Sequence, residues 1–294
     1  MISIILTAYK EPKTIGRAIE AILNNKIKEK FEILVLAPDK ETLEEAGKYA
    51  KKHKQIKLIK DEGRGKPAAL NLAFKKAKGS IFVLTDGDVY IGKNAIQLML
   101  EPFTNSTIGI VSGRPISLNS AKKMLGYWSH LLTDIAHNMR VKRVKEEKMI
   151  VCSGYLYAFR KNLIKSVPEE ALSEDAIISH LIYDKGYKTA YVQKAEVYVR
   201  YPTNFSDWIK QKKRSAGGYN QLNSMVRGKE RMRSFGKESS GIFKVLLYPK
   251  SLKEFVWTLG LIFARTYLWI IIFVDINIRK RNLKKIWVRV ESTK

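Results

Sequence analysis

The first 85 residues alternate short apolar runs with helical patterns, and this alternation constrains the fold more than any other feature of the chain. Residues 2–7 (ISIILT), 31–37 (FEILVLA), 56–59 (IKLI) and 81–85 (IFVLT) are short and mostly apolar. Near-continuous apolarity is what a strand needs when both of its faces are covered. Between these runs lie helical patterns at 14–24, with Pro12 near the start, at 41–52 and at 66–77. In the last of these, Ala69, Leu70, Ala73, Phe74 and Ala77 share one helix face. The order β-α-β-α-β-α-β predicts an α/β fold with a mostly parallel central sheet flanked by helices. In such sheets ligands bind beyond the carboxyl ends of the strands.

The pattern then becomes mixed. We read a strand at 108–112, a long helix at 120–143 and a bent strand pair over 150–159 around Gly154. A helix at 176–184 closes on Gly186, and a strand follows at 196–201. Residues 204–226 read as a helix interrupted by Gly217-Gly218. The polar, basic stretch 228–240 reads as a linker. The expected organisation is a catalytic domain over 1–227, the linker 228–240, and a C-terminal apolar and basic helical segment over 241–294.

Four stretches carry candidate chemistry. Thr85-Asp86-Gly87-Asp88 follows an apolar strand, where two carboxylates two residues apart can hold a divalent cation against a diphosphate. Asp-Gly is also a common turn pair, and glycine there allows a sharp turn and a close ligand. Asp61 to Asn71 (DEGRGKPAALN) places Arg64 and Lys66 at a helix start, where free N–H groups attract anions. Its spacing is not that of a Walker loop. Ser173-Glu174-Asp175 precedes a helix: Ser173 and Glu174 suit a cap, while Asp175 can take a proton from an acceptor hydroxyl. Gln211 and Arg214 share one face of a helix. A guanidinium there can stabilise a diphosphate leaving group.

Together these motifs resemble the family 2 glycosyltransferases, which have the nucleotide-diphospho-sugar transferase fold of GT-A type. The resemblance covers roughly the first 220 residues and implies the following roles. Thr7, Ala8, Tyr9 and Glu11 lie near the nucleoside, and Asp39 matches an acid that contacts the base. Lys66 matches the lysine of a Gly-Lys-x-x-Ala-Leu-Asn stretch. Asp86 and Asp88 match the metal motif, with Mg²⁺ or Mn²⁺ as cofactor. Glu174 and Asp175 match the catalytic Glu-Asp pair, with Asp175 the base. Gln211 and Arg214 match the Gln-x-x-Arg-Trp motif of membrane polysaccharide synthases, with Ser215 in place of the Trp, a departure that weakens the case for processivity and leaves it open. The implied reaction is metal-assisted, inverting transfer of a sugar from a nucleotide diphosphate, a UDP-sugar in the first instance, to a lipid-linked or glycan acceptor.

Charge and hydropathy place that reaction. The net charge is +26, which calls for an anionic partner. Residues 200–294 hold 21 Lys/Arg and 6 Asp/Glu, a net of +15. The same third contains the 20-residue run 255–274 (FVWTLGLIFARTYLWIIIFV), whose one charge is Arg265. About 20 apolar residues suffice to span a bilayer, and basic flanks with Trp257, Tyr267, Trp269 and Trp287 suit a membrane surface. On an unbroken helix Lys250, Glu254, Thr258, Arg265 and Arg279 fall in a stripe about 80° wide. Such a stripe fits a helix lying in the interface, one packed on its own domain, or a spanning helix that meets a partner. The single cysteine, Cys152, cannot form an internal disulfide. The N-terminal apolar run has no basic leader and is too short for a signal peptide. The expected location is the cytoplasmic face of a membrane, anchored C-terminally or peripheral. Two rivals explain less. A sugar-nucleotide nucleotidyltransferase would need a Gly-rich N-terminal signature, which Thr7 to Glu11 lacks. A nucleic-acid-binding protein leaves the Asp-Gly-Asp and Glu-Asp motifs without work, so no nucleic-acid partner is expected.

Overall fold

The computed structural model describes residues 1–225, 245–275 and 292–293. The expected linker 228–240, Arg279 and Trp287 lie outside the described residues. The first four strands are β1 (Ile2–Thr7), β2 (Phe31–Ala37), β3 (Ile56–Lys60) and β4 (Ile81–Asp86). They run parallel, in the spatial order β3-β2-β1-β4. Their crossovers are α1 (Ile15–Leu23), α2 (Lys40–Ala50) and α3 (Lys66–Lys76). In α1, Ile15, Ala18, Ile19 and Ile22 recur at helical spacing, and all four are buried.

The later half differs from the expectation in detail. β5 (Val89–Ile91) is only three residues long and follows the Asp-Gly-Asp turn directly. After α4 (Ala95–Leu100) come β6 (Ile108–Ser117), α5 (Met124–Lys145) and β7 (Leu156–Arg160). They are followed by α6 (Glu174–Asp184), β8 (Lys188–Val199) and α7 (Phe205–Met225). The full order is β3-β2-β1-β4-β7-β6-β8-β5, with β7 antiparallel to β4 and β6, and β5 antiparallel to β8. The expected strand pair over 150–159 is a single strand. The buried stretch before it satisfies its amides with hydroxyls instead of a ladder: Ile150 N donates to Thr189 Oγ1, Cys152 N to Ser179 Oγ and Ser153 N to Ser112 Oγ. α7 runs unbroken through Gly217-Gly218. At Gly218 a Cβ would stand 2.1 Å from Ser173 Oγ. That glycine lets α7 pack on the start of α6; it does not end the helix.

Each face of the sheet buries its own core. One packs Ile4, Leu6, Val35 and Val83 against α1, α2 and α4. The other packs Leu34, Phe82 and Tyr157 against α3, α6 and the 149–152 stretch. A third cluster joins α8 (Leu252–Phe273) to α5 and α7 through Tyr127, Trp128, Leu131, Trp208, Leu261 and Ala264. Trp128 Nε1 donates to Trp257 O at 2.6 Å, the Tyr127 and Thr258 hydroxyls lie 2.7 Å apart, and Lys213 pairs with the buried Asp275. Thr258, from the predicted polar stripe, thus turns toward the protein. Val256, Phe263, Tyr267, Ile270 and Phe273 face outward, each more than half exposed. α8 is long and apolar enough to cross a membrane by length and composition, and 28% of its most apolar window is buried against the rest of the chain.

Candidate active site

The carboxyl ends of β1 and β4 lie side by side, with Thr7 in register with Asp86. The Thr7 hydroxyl donates to Asp86 Oδ1 at 3.1 Å, and Gly87 N donates to Thr7 O at 2.9 Å. Gly87 is not in the left-handed region that its turn role suggested. Its missing side chain matters for contact: a Cβ would lie 2.6 Å from Glu11 Oε2 and 2.8 Å from Ala8 Cβ. The β1 turn therefore packs directly on the Asp-Gly-Asp turn, which brings Thr7, Ala8 and Glu11 to the carboxylates. Tyr9 is exposed beside them.

Asp39 braces this turn from the β2 side. It precedes α2 and accepts from Thr42 N at 3.0 Å and from Lys10 N at 2.7 Å. These donors outweigh burial and hold its carboxyl below the ordinary value. The sequence match proposed a contact with the base; in the structure Asp39 caps a helix and fixes the backbone at Lys10, whose φ of 53° is left-handed.

Lys66 ties the motifs together. Its Nζ lies 2.7 Å from Asp86 Oδ1 and 2.8 Å from Glu174 Oε1. Burial alone would lower the lysine pKa, but the two carboxylates more than reverse this and hold Lys66 charged. Glu174 is buried, which raises its carboxyl, yet Lys66 and then Arg214 bring it below the ordinary value. The next residue is pushed the other way. Asp175 rises to about 6, through burial first and the neighbouring Glu174 charge second. One carboxyl of the pair is thus committed to an ion pair and the other is poised to exchange a proton near neutral pH, the division of labour that proton-transfer sites use. Ser173 holds the N-cap position of α6, but its side chain makes no capping bond. Arg64 is exposed and engaged with Glu62 and Glu169, away from Lys66.

α7 closes the site. Arg214 is felt electrostatically at both Glu174 and Tyr155. One turn earlier, Gln211 Oε1 is buried with no hydrogen-bond partner among the described residues. Lys213 pairs with Asp275 and ties α7 to the end of α8. The sequence reading missed Tyr155. Its phenol is pushed up to about 12 by burial, and the charges around it are Arg214, Asp88, Asp86 and Asp175. Its hydroxyl is thus within electrostatic reach of Asp86, Asp88, Asp175 and Arg214. No signal in the sequence distinguishes it from the neighbouring core residues Leu156 and Tyr157.

Asp86 and Asp88 supply the hard oxygen donors that Mg²⁺ or Mn²⁺ prefers. Among the described residues no group of three or more His, Cys, Asp or Glu side chains is arranged to hold a metal ion. The pair would hold such an ion, which would supply charge neutralisation to a bound diphosphate.

A mixed, mostly parallel sheet flanked by helices, with the candidate residues gathered at its carboxyl edge, is the architecture of the GT-A fold. The comparisons agree, and the chain belongs to glycosyltransferase family 2: the family model described as "Glycosyltransferase like family 2" matches residues 1–218. It is similar to the probable glycosyltransferase YdaM of Bacillus subtilis, with 25% identity over 74% of this chain and 54% of that one. It is equally similar to the poly-beta-1,6-N-acetyl-D-glucosamine synthase of Staphylococcus aureus, with 25% identity over 75% of this chain and 55% of that protein. The chain thus spans about half the length of these curated relatives. Among solved structures it resembles a mannosyltransferase from Pyrobaculum calidifontis in complex with GDP-Man and Mn²⁺, with a TM-score of 0.70, 17% identity and coverage of 96% of this chain and 88% of that one. That likeness shows the shared fold.

Proposed function

We propose that the protein transfers a sugar from a nucleotide diphosphate to a membrane-held acceptor with inversion at the anomeric carbon. The observation that carries this reading is the Lys66 bridge, which joins the Asp-Gly-Asp carboxylate Asp86 to Glu174 and so sets Asp175 beside the diphosphate residues. Thr7, Ala8, Tyr9, Glu11 and Asp39 border the nucleoside, while Lys66, Asp86, Gln211 and Arg214 border the diphosphate. A divalent ion at Asp88 and Asp86 would neutralise charge on the leaving group; the Mn²⁺ in the mannosyltransferase neighbour supports its use here. Asp175 takes the proton of the acceptor hydroxyl, and the acceptor oxygen attacks the anomeric carbon. The bond to the diphosphate breaks on the opposite face, Arg214 stabilises the charge that departs, and no covalent intermediate forms.

A UDP-sugar is the proposed donor. The relative that makes an N-acetylglucosamine polymer supports this, since that sugar is ordinarily carried on UDP; the GDP-Man neighbour supplies the competing choice. The outward apolar face of α8 supports peripheral attachment to a membrane, because its inward stripe is already spent on α5 and α7. Calorimetry of UDP- and GDP-sugars with and without Mn²⁺, with NMR of the product's anomeric centre, tests the reading. We expect metal-dependent binding of one donor and an inverted product. Binding of neither donor, or a retained configuration, would overturn it.

A further inference from the structure

A cationic cluster, built from elements other than those that carry the donor residues, adjoins Asp175. α5 carries Asp134, His137 and Arg140 three residues apart, and so on one face. His137 Nδ1 is 2.8 Å from the Tyr191 hydroxyl on β8, and the Arg140 guanidinium stands 5.9 Å from the centre of the Tyr191 ring. Arg114, on β6, completes the group. It lies two residues along β6 from Ser112, which is in register with Tyr191 on β8, and its charge is felt at both His137 and Tyr191. Burial and then Arg114 hold His137 below its ordinary value, with Asp134 the one opposing carboxylate and Arg140 adding to the depression. Asp134 itself accepts from the Tyr248 hydroxyl at 2.7 Å.

The cluster adjoins the base. Arg140 donates from Nε to Val151 O, two residues before Ser153, whose amide bonds Ser112 on β6. Next comes Gly154, where a Cβ would lie 3.2 Å from Asp175 Oδ2. The Arg140 charge reaches Asp175 as well.

Two features point to an anionic ligand. Arg114 Nε is buried with no hydrogen-bond partner among the described residues, and no carboxylate among them forms an ion pair with Arg114 or Arg140. A buried guanidinium donor left without an acceptor is costly, and an arrangement of this kind is accounted for when a ligand supplies the acceptor. Nor does the donor need these groups. Its residues come from β1, α2, α3, β4 and α7, whereas the cluster comes from β6, α5 and β8. We propose that Arg114 and Arg140 bind a phosphate or carboxylate carried by the acceptor, so that this transferase acts on an acidic acceptor. A guanidinium supplies the planar fork that such groups accept. The inference rests on the transferase reading for the word acceptor, but the anion site itself is testable alone.

The full chain, in mild detergent with UDP and Mn²⁺ present to fill the donor site, is titrated by calorimetry with citronellyl phosphate against citronellol, and with octyl glucuronide against octyl glucoside. We expect one anionic probe to bind at least about 10-fold more tightly than its neutral counterpart. Preference for the phosphate identifies a lipid phosphate as the source, and preference for the glucuronide an acidic glycan. Arg114→Gln should reduce the preference to within about twofold while leaving Mn²⁺-dependent UDP affinity unchanged. Arg114→Lys, which keeps the charge and loses the fork, should fold as wild type and retain about a third of the preference. Equal binding of charged and neutral probes overturns the proposal. So does a preference that persists fully in both variants, since the net charge of the chain would then account for it. Failure of UDP to bind, with the Arg114-dependent preference intact, overturns the transferase reading and leaves the anion site standing.

Discussion

Replacing Asp175 by asparagine should raise stability and silence transfer together. Asp175 is pushed from an ordinary 3.8 to about 6 by burial and by Glu174. A carboxyl whose folded pKa exceeds its unfolded pKa costs stability when it ionises. The cost is absent where both states are protonated, grows as pH rises from 3.8 to 6, and is constant above that. A full two-unit rise corresponds to about 3 kcal/mol. Solvent reaches Asp175 in part and Lys66 offsets some of the repulsion, so we expect about 1–2 kcal/mol. Asparagine keeps the shape and never ionises. In a protein of this size each 1 kcal/mol moves Tm by about 2–4 °C, so the variant should melt roughly 2–8 °C above wild type at pH 8. That lead should shrink to about a third by pH 4.5. Differential scanning calorimetry of both proteins without nucleotide, at the two pH values, reads the effect. Transfer should fall by about 10²-fold or more, with donor affinity retained. A variant less stable than wild type at pH 8, or a lead that does not shrink in acid, would refute the electrostatic argument; wild-type transfer would move the base elsewhere.

Three further outcomes follow from the same geometry. Asp88→Ala should remove metal-dependent nucleotide binding in calorimetry while Tm moves by no more than about 2 °C, because the residue lies at a strand end and not in the core; equal nucleotide affinity with and without Mn²⁺ in wild type would rule out the metal role. Lys66→Met leaves Asp86 and Glu174 facing each other without a cation. Breaking a fully buried pair costs about 3–5 kcal/mol; with the lysine side chain 25% exposed we expect about 1–3 kcal/mol in urea unfolding, and an unchanged midpoint would contradict the bridge. Phe263→Glu with Ile270→Glu alters only the outward face of α8, so liposome flotation in high salt should lose the protein from the membrane fraction while UDP binding persists; continued flotation would place the membrane contact elsewhere.

What the sequence made legible was local or ordered along the chain. β2 has the predicted bounds because burial on both faces leaves it apolar but for Glu32, whose carboxylate is bonded to Ser3, Lys57 and Lys78 N. The Asp-Gly-Asp, Lys66, Glu174-Asp175 and Arg214 motifs could be named because each has a short pattern. That they meet depends on the Thr7–Asp86 register and on Lys66 reaching across to α6, which no local pattern encodes. Where the reading slipped, a tertiary contact had reassigned a local signal. Gly217-Gly218 reads as a break, yet glycine is required there because Ser173 occupies the space of a side chain. Residues 150–153 read as a strand from their apolarity, but three hydroxyls from other elements take their amides. Arg114 and Tyr155 were invisible for the same reason. An arginine in a strand and a tyrosine beside a core tyrosine are ordinary in sequence. They acquire meaning only from the charged groups that the tertiary fold brings near them.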